Sequence, residues 1–216
     1  MDVPIFHQTS ESFEGYVPRE VVHKTGQWHK GIQANIVVKS RDTFTMLFQR
    51  RSEVVDISKG RFDQSLATQM TKEDGLSEYQ TLKRGLREEL GITEFSYRKV
   101  PLRMKIMKTY ESDGTLKNNE LLSLYVVLIK NKSQVKITSG KVAGIFWLKW
   151  DESVRFVNEN ANEFTKTAQF YFSDRVVLSQ MESTTHNLLR NKVGGKNRKK
   201  LLHINLSNQK PHTIYS

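Results

Sequence analysis

Apolar positions along this chain fall into short blocks separated by polar, glycine-bearing stretches, and one block changes period. Residues 32–38 form a β-branched apolar run and residues 45–48 another, and the polar Lys39-Ser-Arg-Asp between them suits a hairpin. Residues 1–20 read as an irregular lead-in punctuated by Gly15 and Pro18, and residues 50–74 as a polar, loop-like stretch around Gly60. The period then turns helical. Leu76, Tyr79, Leu82, Leu86 and Leu90 recur at spacings of three and four, and Gly91 follows as a C-terminal stop. Strands are predicted around 103–110, with Asp113-Gly114 as turn chemistry, at 121–129, and at 144–150 (GIFWLKW). One or two helices are expected over 163–189, with Asn162 or Asn160 available as N-cap. Hairpin, loop, helix, strands, helix is the order of an α/β (α+β) sandwich with a mixed sheet.

At 216 residues the chain suits one domain plus an appendage, with residues 1–190 as the domain and 191–216 as a basic tail. The absence of cysteine excludes a disulfide framework, a thiolate zinc site and a cysteine nucleophile, and fits a reducing compartment. The N-terminal residues have neither the basic and apolar regions of a signal peptide nor the arginine-rich, acid-poor character of a transit peptide. Apolar stretches such as 121–129 are strand-length and too short to span a bilayer, so a soluble cytoplasmic protein is expected. The net charge of +11 is unevenly placed. No acid follows Glu182, whereas Arg190, Lys192, Lys196, Arg198, Lys199, Lys200 and Lys210 do. Either this is a solvated basic tail, or it contacts RNA, anionic lipid or an acidic partner.

Two stretches resemble the Nudix superfamily, in its branch containing isopentenyl-diphosphate isomerase. The first, "GYVPREVVHKTGQWHKGIQANIVV…TMLFQRR", is similar to the branch's lead into its first core strand, at Arg19, His23, Trp28, His29, Leu47, Gln49, Arg50 and Arg51. The second, "GLSEYQTLKRGLREELGI", resembles the Nudix box, with Arg84, Leu86, Glu88, Glu89, Gly91 and Ile92 on the pattern. The resemblance implies a Nudix-type α/β/α sandwich with a mixed sheet. The departures are specific: Gly85 and Leu76 stand where the family has acids, Thr68-Gln69 replaces its Gly-His step, and Ala67 falls near the isomerase cysteine. In "NNELLSLYVV", Asn118 replaces the first acid of the isomerase Glu-x-Glu strand and Glu120 keeps the second. Isomerase chemistry is therefore not expected.

The implied chemistry is hydrolysis of a diphosphate linkage in a nucleoside diphosphate derivative or similar small phosphorylated compound. Mg²⁺, with Mn²⁺ as the alternative ion, would offset the phosphate charge that repels an attacking water. Glu88, Glu89 and Glu120 are the expected metal ligands, Glu89 and Glu120 the candidates to activate water, and Arg84 the residue orienting a box glutamate. Glu78, Glu73 and Asp74 are reserve acids. Without a cation, clustered carboxylates should include one with a raised pKa, through like-charge repulsion. Arg50 and Arg51 alternate faces, so at most one meets the ligand phosphates. Each assignment has a plainer alternative: Glu88 and Glu89 as a solvated helix face, Glu120 as an exposed strand-start acid, His23 and His29 as structural rather than metal-binding, Trp28 as core. Phe170, Tyr171 and Phe172 are expected to pack the terminal helix. Gly85 and Leu76 favour a second function, a catalytically weakened Nudix module that binds a nucleotide or diphosphate as sensor or regulator. The basic tail favours a third, an RNA-associated protein.

Overall fold

The computed structural model describes residues 1–41, 43–102, 104–110, 116–193 and 212–215. The two longest strands of the sheet are β3 (His29–Ser40) and β9 (Leu116–Ile129), and they run parallel, from His29 opposite Glu120 to Val38 opposite Ile129. Both are continuously buried through their middles, residues 31–38 and 121–129, because helices cover both faces of the sheet. β4 (Thr43–Arg51) returns antiparallel along the end of β3, as the hairpin pattern requires, and β10 (Val142–Lys149) pairs outside it. On the other side β8 (Met104–Tyr110) pairs antiparallel with β9, and β11 (His212–Tyr215) lies parallel to β8. The order β10-β4-β3-β9-β8-β11 mixes parallel and antiparallel neighbours.

Alternation along the strands divides the core into two layers. Ile32, Ala34, Ile36 and Val38 of β3, with Tyr125, Val127 and Ile129 of β9, meet Leu82, Leu86 and Leu90 of helix α2 (Glu78–Leu90). On the opposite face Val37, Phe44, Met46, Phe48, Leu124, Val126 and Leu128 pack against three C-terminal helices. These are α3 (Trp150–Glu159), α4 (Lys166–Ser173) and α5 (Arg175–Val193). The result is the expected α/β/α sandwich. Tyr171 and Phe172 are fully buried in the second layer, and Trp28 is buried beside Phe6, Met70 and Leu121.

Several elements differ from their sequence expectation. The lead-in is a hairpin of β1 (Asp2–Phe6) and β2 (Phe13–Pro18) followed by α1 (Arg19–Thr25), closed by Gly26 in the left-handed conformation. Val3 and Ile5 seal against Val22, an interaction no local pattern announces. Residues 50–74 contain β5 (Phe62–Gln64) and β6 (Leu66–Gln69). Their polarity does not mean exposure, since Asp63, Gln64 and Ser65 are all buried. Ser65 explains how: its hydroxyl donates to the Leu47 carbonyl and accepts from the Ile36 N–H, bridging β4 and β3. Strand β7 (Ser96–Lys99), antiparallel to β9, was not expected. The GIFWLKW strand stops at Lys149, and Trp150 opens α3. Thr165, not Asn160 or Asn162, caps α4 by accepting from the Ala168 N–H, and Asp174 accepts from Val176 and Val177 at the start of α5. Helix α2 begins after Ser77, whose side chain accepts from Gln80, and ends at Gly91 with φ 64°. Leu76 and Tyr79, the first two of the apolar series, are exposed. The Asp113-Gly114 turn and the basic residues from Lys196 to Lys210 lie outside the described residues. Among the described residues, no helix is long and apolar enough to cross a membrane.

Candidate functional site

On the edge away from β9, β3 changes neighbour along its length. Its residues Gly31–Ala34 pair with β6, whereas Val37–Ser40 pair with β4, which itself continues alongside β5. Where the sheet divides, a cavity of about 460 Å³ opens, lined by Arg84 and Glu89 of α2, Arg51 of β4, Asn118 and Glu120 of β9, and Lys141 just before β10. Gly31 leaves room for Glu120 there, because a Cβ at that position would lie 3.0 Å from the Glu120 Oε1 and 2.6 Å from Leu122 Cδ2.

The expected site residues are therefore partly assembled. Glu89, Glu120, Arg84 and Arg51 line one cavity; Glu88 and Arg50 are not among its lining residues. Arg50 is exposed and donates to the Gly60 carbonyl (3.1 Å), while Arg51 reaches the Ile57 carbonyl (3.0 Å) and Asp63 (3.4 Å). Glu88 is half-exposed and pairs with Arg84 (3.3 Å) and Arg87 (3.5 Å). Helical periodicity is the reason: positions 82, 85, 86 and 89 form the buried face of α2, and position 88 sits at its edge. Among the described residues no group of three or more acids or histidines is placed to hold a metal ion, so the expected Glu88–Glu89–Glu120 cluster does not form.

Gly85 is the position where the resemblance puts an acid, and it is closed. A Cβ there would lie 2.7 Å from Thr68 Cγ2 and 3.2 Å from Leu66 Cδ2, so α2 lies against β6 at a distance only glycine permits.

Arg84 has a different main partner from the one expected. It grips Asp74 through two hydrogen bonds, Nε to Oδ1 at 2.8 Å and Nη2 to Oδ2 at 2.9 Å, and also donates to the Gln69 carbonyl (2.8 Å). Asp74 further accepts from the Thr71 N–H (2.8 Å) and the Thr81 hydroxyl (3.0 Å). Burial pushes the Asp74 carboxyl up, but the Arg84, Thr71 and Thr81 bonds outweigh it and hold it below the usual range. The signal for Asp74 was present as a capping box, Thr71-x-x-Asp74, ahead of the helix.

Glu89 is 5% exposed, and burial raises its carboxyl above the usual glutamate range, with Lys141 at 3.7 Å and the charges of Arg51 and Arg84 opposing the rise in part. The raised group expected of the cluster thus exists, but desolvation causes it rather than repulsion between acids. Because the folded pKa lies above the ordinary 4.5, this group's contribution to stability is present below that value and lost as pH rises through the folded one. Glu89→Gln is therefore expected to stabilise the fold at pH 7 by about 0.5–2 kcal/mol. Thermal melts should show the gain shrinking toward pH 4.

Beside Glu120 lies a closed polar cluster. The Gln69 amide nitrogen donates to Nε2 of His23 (2.9 Å) and of His29 (3.1 Å), and its oxygen accepts from Arg19 Nε (2.9 Å). Both imidazoles must then carry their proton on Nδ1, and the His29 Nδ1–H duly meets the Gln27 carbonyl at 3.1 Å. Burial, reinforced by Arg19 and His29, lowers the His23 pKa to about 4, so His23 is neutral at pH 7. Glu120 Oε1 stands 3.8 Å from His29 Nε2. Arg19, Asp56, Asp63 and Lys141 also belong to the charged lining, and no sequence pattern singles out Asp56, Asp63 or Lys141.

No family model matches the chain, and no curated protein matches it. Solved structures do. The crystal structure of DR0079 from Deinococcus radiodurans aligns with a TM-score of 0.58 at 13% identity, covering 84% of this chain and 98% of that one. A C. elegans Ap4A hydrolase binary complex aligns at 0.50 and 13% identity, covering 74% and 98%. A Nudix hydrolase from Alicyclobacillus acidocaldarius aligns at 0.47 and 9% identity, covering 67% and 89%. At 13% identity the first two likenesses are of fold alone, and that fold is the Nudix-type α/β/α sandwich.

Proposed function

We propose that this Nudix-fold chain is a binding module for a small diphosphate-bearing compound, a nucleoside diphosphate derivative or a similar phosphorylated molecule, with hydrolytic capacity reduced. The cavity between β4 and β6 is the binding site. Arg51, Arg84 and Lys141 supply positive charge along its wall. The donor set suits one Mg²⁺ or Mn²⁺ rather than several ions. Mg²⁺ is commonly held by one or two carboxylates together with waters and phosphate oxygens, and Glu89 and Glu120 are the two that would hold it. A bound ion would offset the charge of the phosphates.

One observation carries the reduced-hydrolysis reading: α2 offers the cavity a single carboxylate, because Gly85 is shut against Thr68 and Glu88 faces outward. Full Mg²⁺-dependent hydrolysis is the second reading, and the shared cavity position of Glu89 and Glu120 favours it. Calorimetry and phosphate-release assays on one panel of diphosphates, with and without Mg²⁺, separate the two. Binding with negligible turnover is expected. Mg²⁺-dependent release that disappears in Glu89→Gln would establish the hydrolase instead, and a panel with no binding would sink both.

A further inference from the structure

The cavity's uncharged lining says what the phosphates carry. Alongside the ionic groups it has carboxamides and hydroxyls, among them Gln33, Gln49 and Asn118, and apolar side chains such as Ile32, Val55 and Leu122, a mixture that suits the hydroxyls and the C–H faces of a sugar ring. Among the described residues no aromatic ring lines it, so no platform exists there for stacking a base. The tryptophan of the lead-in, Trp28, is packed away among Phe6, Met70 and Leu121.

Asn118 is the sharpest of these features. It is 4% exposed, its Oδ1 has no partner, and it lies two residues before Glu120 on β9, on the same strand face. A buried acceptor left unbonded is costly, and a ligand donor that fills it recovers that cost on binding. Neither a fully ionised phosphate oxygen nor an alkyl group can do so, since neither donates a hydrogen bond. A hydroxyl can. Gln33 differs in that its Oε1 is already taken, accepting from the hydroxyl of Tyr171, which is buried behind the cavity wall, so it is its NH₂ that can donate to a ligand. Carboxamides accept and donate side by side, the pattern that neighbouring hydroxyls on one ring present in reverse.

We infer that the group joined to the phosphates is polyhydroxylated, a sugar or polyol, read through its hydroxyls by Asn118, Gln33 and Gln49 rather than through a nucleobase. This rests on the diphosphate site proposed above. Calorimetry in Mg²⁺ with three probes tests it: inorganic pyrophosphate, 5-phosphoribosyl 1-diphosphate (hydroxyls, no base) and 2′,3′-dideoxy-ADP (base, no ribose hydroxyls). The phosphoribosyl compound is expected to bind at least about tenfold tighter than pyrophosphate, and dideoxy-ADP no tighter than pyrophosphate. Asn118→Leu should remove most of that tenfold gain while leaving pyrophosphate affinity and the melting temperature intact or higher. Tighter binding of dideoxy-ADP than of the phosphoribosyl compound overturns the inference. So does an equal loss for both pyrophosphate and the phosphoribosyl compound in Asn118→Leu. Pyrophosphate failing to bind at all removes the diphosphate site itself, and the inference with it.

Discussion

Arg84→Ala is expected to destabilise the fold by about 3–5 kcal/mol, the cost typical of removing one partner from a buried ion pair. Its partner Asp74 has a side chain only 3% exposed, so the stranded carboxylate is poorly hydrated and keeps only its bonds to Thr71 and Thr81. In a chain of this size that loss lowers the melting temperature by on the order of 10 °C. The pair also predicts its own pH dependence. Asp74 has a folded pKa below the ordinary 3.8, so its stabilisation is complete above that value and disappears as pH falls through the lower folded one. Acid titration of wild type should therefore show a stability loss below pH 4 that Arg84→Ala lacks. In the double variant with Asp74→Ala the loss should be smaller than the sum of the singles, because no unpaired charge remains. An additive double variant, or a single variant costing under about 1 kcal/mol, would show that the pair does not hold β6, the residue 71–74 turn and α2 together.

Gly85 gives the second large effect, and its sign is the informative part. Glycine-to-alanine inside a helix ordinarily gains about 1 kcal/mol. Here the new Cβ would meet Thr68 Cγ2 at 2.7 Å, and Thr68 is a branched residue on a strand, not the far end of a flexible chain. Gly85→Ala should lose stability, and Gly85→Glu should lose more, about 1–3 kcal/mol or beyond, as overpacked cores do. Adding the acid back is therefore not expected to restore turnover. Melts of both variants with a phosphate-release assay decide it. A stable Gly85→Glu protein with enhanced release would mean α2 moves away from β6 freely.

These two residues mark how far the sequence could be read. Leu82, Leu86 and Leu90 with Gly91 located α2, because a single apolar stripe against a sheet leaves a clear 3.6-residue period. The apolar series overruns the start of the helix by one member, Leu76, which precedes the Ser77 cap and, like Tyr79 in the first turn, is exposed. The paired strands β3, β4, β9 and β10 were legible as apolar runs. β1, β2, β5 and β6 were not, because short strands gain their place from partners distant in the chain, and buried Asp63, Gln64 and Ser65 look like loop residues until their hydrogen bonds are known. In the site, Glu89 and Glu120 could be named from pattern. That Glu88 turns away follows from a helix phase fixed by the core, and that Gly85 is closed follows from a contact across to Thr68. Neither is local information.

The pairing of His29 with Glu120 has one more consequence, for how the protein comes into being. The cavity draws on strands separated by about ninety positions, then on Lys141 and on Thr165 and Thr167 beyond it. Such long-range closure slows folding relative to local contacts. A chain emerging from the ribosome accordingly displays α2 well before any ligand-competent surface exists. A ligand of the proposed site would then act late, trapping the finished fold rather than guiding its formation.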